Sequence, residues 1–271
     1  MTPIALTIAG SDSSGGAGIE ADLKTFSALG VYGATVITAL TAQNTRGVCA
    51  IHAVPAEFVA AQMDAVFSDL RVNAVKIGML GEPDIIDAVA TGLARWRQEN
   101  VVLDPVLAAT SGERLLASGA QVALKRELFP FARLVTPNLL EAAALLDASV
   151  AQTEQEIREQ GRELLALGAQ AVLMKGGHGA GAQSVDLLIE PDHCTCLVAD
   201  RIATRNGHGT GCTLSSAIAA GLAKGLDLAE AVRRAKEFVT AALAAADGLD
   251  IGSGRGPLHH FHRIWMQQPA Q

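Results

Sequence analysis

Short, unbroken apolar runs alternate along this chain with longer stretches of helical spacing. Residues 4–9, 34–42, 74–77, 101–103, 133–136 and 171–174 are rich in Val, Ile, Leu and Ala and read as strands. Residues 18–29, 55–70, 84–97, 139–146 and 153–167 read as the helices between them. In 55–70, Phe58, Met63, Val66 and Leu70 recur at helical intervals. Residues 184–189 and 194–199 look like a hairpin, and 211–223 and 228–246 like two closing helices. Strands separated by helix-length segments need parallel crossovers, which cover a sheet on both faces. Unbroken apolar strands fit that burial. No linker, low-complexity tract or solenoid repeat divides the chain. The expectation is one α/β domain over residues 1–271, with a central, mostly parallel sheet and helices on both faces.

The ends of the strands carry polar or glycine clusters: Gly10–Gly16, Gln43–Thr45, Gly78-Met79, Asp104-Pro105 and Lys175–His178. Open α/β sheets bind ligands at the carboxyl ends of their strands. These clusters are therefore expected to converge on one crevice.

Composition narrows the partners. At 271 residues and 49% apolar content the chain can bury a full core. A net charge of −7 argues against broad nucleic-acid binding, but a local pocket can still be positive. No apolar stretch reaches the roughly 18 residues of a membrane span. The first basic residue is Lys24, so no secretory signal pattern is present. Cys49, Cys194, Cys196 and Cys212 form no disulfide framework, and a reduced cytoplasmic setting is expected.

Two glycine motifs carry the candidate chemistry. Residues 16–21 match G-x-G-x-x-A, but no Asp or Glu occurs from Thr25 through Ala56 to hold a ribose. A dinucleotide site is thereby rejected, and there is no P-loop. Asn206-Gly-His-Gly-Thr-Gly-Cys212 opens an apolar helix, and its free amides suit a transferring phosphoryl group. Cys212 falls in the first turn, where its pKa is expected below about 8.5. It is then a weak base or a hydrogen-bonding group, or else a small buried residue at a tight turn. Glu141 is a first-turn acid facing the helix dipole, or a magnesium ligand through water. Lys175 is a solvated strand end or a phosphate contact. His259, His260 and His262 read as a surface or interface cluster, and Cys194 and Cys196 as packing.

Taken together, residues 9–25, 38–45, 75–80, 103–106, 136–138, 174–178, 209–215 and 256–262 resemble one family over about residues 4–265. It is that of the bacterial hydroxymethylpyrimidine/phosphomethylpyrimidine kinases, within the ribokinase-like superfamily. The resemblance implies ATP-dependent phosphorylation of 4-amino-5-hydroxymethyl-2-methylpyrimidine and then of its monophosphate, with Mg2+ and a homodimer. Gly10, Asp22, Gln43 and Met79 match positions that hold the pyrimidine. Asp104, Asn138, Glu141, Lys175 and Thr210 match positions near the ATP phosphates, with Asp104 and Glu141 toward magnesium. Gly209, Gly211 and Cys212 match the anion hole and catalytic position, which Lys175 joins. Glu20, Leu107 and Gly207 stand where Gln, Met and Thr are common. With Cys212 as base, Cys212→Ala is expected to harm the first transfer more than the second, whose nucleophile is already anionic. A pyridoxal kinase on the same scaffold is the alternative enzyme, and a non-catalytic pyrimidine-binding regulator the alternative class.

Overall fold

The computed structural model describes residues 1–107, 116–177 and 181–265; His178 lies outside them. The strands are β1 (Ile4–Asp12), β2 (Tyr32–Asn44), β3 (Gly47–Ala53), β4 (Ala74–Ile77), β5 (Val101–Leu103), β6 (Leu134–Val135), β7 (Val172–Lys175), β8 (Gln183–Ile189) and β9 (Cys194–Asp200). They form one sheet in the order β3-β2-β1-β4-β5-β6-β7-β8-β9. The six central strands run parallel. Antiparallel β3 closes one edge, and antiparallel β8 and β9 the other.

Side chains alternate between two cores, as the pleat requires. Val101 and Leu103 enter one core, and Val102 the other. The first core lies under α2 (Ala56–Asp69), α3 (Pro83–Arg95), α4 (Ala120–Ala123), α5 (Leu139–Leu146) and α6 (Glu154–Leu165). The second lies under α1 (Gly18–Ala28), α7 (Thr210–Ala223) and α8 (Leu228–Ala244). Helix α7 is buried without interruption from Thr213 to Ala223, because α1 and α8 flank it. Small and apolar residues on all its sides suit that interior place, and the buried Thr213 and Ser216 hydroxyls are hydrogen-bonded.

Chain order reverses between β1 and β4, since β2 lies on one side of β1 and β4 on the other. The carboxyl ends of those strands splay apart there, which opens a crevice. Gly10, on β1, and Met79, just beyond β4, line it side by side.

Three expectations change. Strand β3 gave no sequence signal because nearly all of it is exposed; it pairs through its backbone alone. A short helical run at Ala120–Ala123, continued by Leu124–Leu128 and Phe129–Phe131, adds to the expected elements. The histidine cluster is not all surface: His260 is buried, and its Nε2 lies 2.9 Å from Thr213 Oγ1. Burial, followed by the nearby charges of Lys24, His259 and His262, lowers its pKa to about 4. Cys194 does pack against the first core, whereas Cys196 is exposed.

Candidate active site

One cavity of about 740 Å³ runs along the carboxyl ends of the parallel strands. All five punctuation clusters contribute to its walls, through Gly10, Gln43, Met79, Asp104 and Lys175. A more open cleft of about 710 Å³ adjoins it at Thr204.

The anion end is built by α7. Gly209 is its N-cap, at φ 82°, and no side chain caps the helix. A Cβ on Gly209 would lie 1.9 Å from the Gly16 carbonyl oxygen, so only glycine fits against the first glycine loop. The next amides, of Gly211 and Cys212, have no intrahelical acceptor by construction. With the helix dipole they form an anion site. Thr210 lines the same mouth while its hydroxyl donates to the Gly207 carbonyl at 2.7 Å.

Lys175 and Asp104 face this helix end. Lys175 Nζ donates to Asp104 Oδ1 at 2.8 Å and stands 3.7 Å from Glu141 Oε2. A Cβ on Gly211 would lie 3.3 Å from Lys175 Nζ and 3.5 Å from Asp104 Oδ2, which measures how closely the two units meet. Burial would raise the Asp104 carboxyl, but Lys175 and Lys76 outweigh it and hold it below the usual range. Burial, and then the charge of Asp104, push Glu141 up in spite of Lys175. Glu141 also closes a capping box on α5. Its Oε2 accepts from Asn138 N at 2.7 Å, and Asn138 Oδ1 accepts from Glu141 N at 2.8 Å. Asn138 and Glu141 thus line the cavity already fixed by a local bond pair.

Gly10, Gln43 and Met79 line the same cavity. Gly10 makes room for Met79: a Cβ there would lie 2.5 Å from the Met79 methyl carbon. Asp22 does not line the cavity, contrary to its expected pyrimidine contact. It is fully buried beneath the floor, at 0% exposure. Its oxygens accept from Thr7 at 2.6 Å, Lys76 at 2.8 Å and Ser216 at 2.6 Å. These partners join β1, β4 and α7 to α1, so Asp22 holds the elements that carry the site.

Cys212 corrects another expectation. Its sulfur lies beside the start of α1 as well as in the first turn of α7, near the Gly18 amide. Burial nevertheless dominates, over the opposing charge of Lys76, and pushes the thiol up to about 11. The dipole argument omitted desolvation, which acts on the charged form. Alkylation with iodoacetamide, followed by peptide mass, should therefore label exposed Cys49 and Cys196 well before Cys212 at pH 7.5. Cys212 labelling should keep rising beyond pH 9. Labelling of Cys212 that levels off below pH 9 would contradict the burial argument.

Several residues of the site went unassigned in the sequence. Lys76 interrupts the apolar strand β4, and a charge at a doubly buried position must be paired; that signal was available. Asp12 and His208 lay within the glycine motifs. His208 Nε2 meets Asp12 Oδ2 at 2.8 Å, across 196 residues. Asp12 also accepts from the amides of Ser14, Gly16 and Ala17. Burial would raise its pKa, but His208, Ser14 and Ala17 hold it far below the carboxylate range. Lys236 donates to Asp186 Oδ2 at 2.7 Å on the cavity wall, with no local signal on α8.

The family profile of phosphomethylpyrimidine kinase matches residues 12–259. The chain belongs to the phosphomethylpyrimidine kinase family. A hydroxymethylpyrimidine/phosphomethylpyrimidine kinase of Rhizobium meliloti (strain 1021) is 61% identical over 265 residues, covering 98% of this chain and 99% of the relative. The crystal structure of phosphomethylpyrimidine kinase from Clostridium difficile 630 is 43% identical, with a TM-score of 0.79, over 89% of this chain and 99% of that one. The ADP complex of Bacillus subtilis pyridoxal kinase is 37% identical, with a TM-score of 0.90, over 97% of this chain and 100% of that one. The fold of this phosphomethylpyrimidine kinase family member is ribokinase-like, as the resemblance implied. No helix among the described residues is long and apolar enough to cross a membrane.

Proposed function

We propose that this protein transfers a phosphoryl group from ATP to 4-amino-5-hydroxymethyl-2-methylpyrimidine, and a second one to the resulting monophosphate. The observation that carries this reading is a single cavity lined by two unlike sets of residues. An uncapped helix end, Lys175 and Asp104 form one set; Gln43, Gly10 and Met79 form the other. Phosphoryl transfer needs positioning and charge stabilisation more than covalent chemistry. Gly209, Gly211 and Cys212 supply amides to the transferring group, and Lys175 a largely buried cation. Gln43 offers an acceptor and a donor to the ring edge, and Met79 a polarizable surface to its face.

Asp104 and Glu141 suit a magnesium ion. Two carboxylates share one lysine there, at 2.8 and 3.7 Å, which leaves excess negative charge among oxygen donors. Mg2+ held there, directly or through water, would neutralise phosphate charge. Lys175 and the helix amides orient the phosphoryl oxygens.

Cys212 enters as a neutral thiol. A resting thiol has no site for the alcohol proton, which in a loose transition state leaves late, to a phosphoryl oxygen or water. Its role is then a hydrogen bond to the anion, shared by both transfers. Cys212→Ala should lower both rates by similar factors, roughly tenfold, because S–H is a weaker donor than an oxyanion-hole amide. A loss confined to the first transfer would restore the general-base reading.

The family resemblance supports a homodimer working in the cytoplasm; light scattering checks the dimer. The function itself is tested by turnover with ATP and Mg2+ on the aminopyrimidine and on pyridoxal side by side. Turnover of the aminopyrimidine is expected. Phosphorylation of pyridoxal alone would overturn the proposal in favour of the vitamin kinase that shares the scaffold.

A further inference from the structure

Asp12, His208, Gln43 and Thr41 form a chain of side chains that line the cavity. His208 Nε2 lies 2.8 Å from Asp12 Oδ2 and 3.2 Å from the Gln43 side-chain amide. The other end of that amide lies 3.2 Å from Thr41 Oγ1. Thr41 donates its only hydroxyl proton to the Ser11 carbonyl, at 2.8 Å.

Counting protons fixes how the Gln43 amide must lie. Asp12 is an acceptor at 2% exposure and already takes protons from Ser14, Gly16 and Ala17. The histidine nitrogen that faces it must therefore carry a proton, and that proton points to Asp12. No lone pair is left for Gln43. An amide NH2 beside His208 would set donor against donor. Thr41, its proton spent on Ser11, offers only an acceptor. Both ends agree on one arrangement. Gln43 Oε1 faces His208 and shares its Nε2 proton, while Gln43 Nε2 donates to Thr41. Amide oxygen and nitrogen have the same shape, so the network decides between them. The imidazole packs closely on Gly16, where only glycine leaves room for it: a Cβ there would lie 2.4 Å from His208 Cδ2.

We infer that the Asp12–His208 pair, with Thr41, locks the orientation of the Gln43 amide and through it selects an aminopyrimidine over a hydroxypyridine. This rests on the proposal that Gln43 meets the ring edge. A locked amide presents its acceptor and donor in one order. An aminopyrimidine needs that order, because its amino group only donates and the adjacent ring nitrogen only accepts. The reversed amide would oppose it at both contacts. A hydroxypyridine such as pyridoxal carries its hydroxyl and ring nitrogen on non-adjacent atoms, so it meets the amide at one contact and depends less on the order. His208 is thus a positioning residue for specificity, separate from the phosphate-binding amides that follow it.

Kinetics on both substrates separates this role from a structural one. His208→Leu is expected to lower kcat/KM for the aminopyrimidine about three- to tenfold through KM, with less than a twofold change for pyridoxal as substrate or competing ligand. His208→Gln, which keeps a donor, should recover most of the loss. In Gln43→Glu both ends accept, so orientation no longer matters and adding His208→Leu should cost nothing further. Equal losses for both substrates, or a loss in kcat alone, would overturn the inference and place His208 in the anion loop. A wild-type enzyme inert toward the aminopyrimidine would instead sink the functional reading. Should His208→Leu fail to fold, 15N NMR of the wild-type enzyme decides. A proton on His208 Nε2 is expected, and a bare Nε2 facing Asp12 would refute the lock.

Discussion

Lys175→Met is expected to lower kcat/KM for phosphoryl transfer by about 10²–10³-fold, the loss typical of one preorganised donor at a developing anion. Three observations place Lys175 in that role. Lys175 Nζ is largely buried and bonds Asp104 at 2.8 Å, so it is positioned before substrate arrives. It lies close to Gly211, beside the uncapped end of α7. It is also the cation set between Asp104 and Glu141. Methionine keeps the length and removes the charge, leaving two carboxylates to repel the phosphates. Steady-state kinetics with saturating Mg2+ reads the effect, alongside a thermal melt that confirms folding. A loss below tenfold would mean that the amides and metal suffice and that Lys175 only balances Asp104.

Lys76→Met should act on stability instead, and cost about 3–5 kcal/mol. Lys76 and Asp22 form an ion pair at 2.8 Å with both side chains fully buried. Burial would depress the lysine, yet Asp22, Cys212 and Asp104 hold its pKa above the ordinary range. Removing the ammonium leaves an anion whose remaining partners, Thr7 and Ser216, are neutral hydroxyls. The buried charge, more than the lost bond, sets the cost. Urea unfolding measures it, with Asp22→Asn added to remove the stranded charge. The double variant should regain part of the loss, a coupling that independent sites do not show. A single-variant cost below about 1 kcal/mol would show that water reaches Asp22.

The parts of the fold legible in the sequence are those whose burial is symmetrical. Val101–Leu103 is apolar at every position because both of its faces are covered, and the run announces itself. Strand β3 stays silent because Gly47–Ala53 is held by backbone bonds at an exposed edge. The crevice was legible from the punctuation after the strands. Which residues meet across it was not. Asp12 and His208 stand 196 positions apart, and only the folded chain shows them bonded. Lys76 was readable, as a charge within an apolar strand, while Asp22 as its partner was not. Cys212 shows the limit of a local rule. Its place at a helix start was evident, but the desolvation that governs the half-buried thiol comes from the elements packed around it, the start of α1 among them.

The central claim is that one phosphate site serves two successive transfers on one aminopyrimidine. A product time course with ATP, Mg2+ and 4-amino-5-hydroxymethyl-2-methylpyrimidine, resolved by chromatography, tests it most directly. The account predicts that the monophosphate rises first and then falls as the diphosphate accumulates, with two ATP consumed per pyrimidine. A course that stops at the monophosphate, or turnover of pyridoxal without any of the pyrimidine, would contradict it.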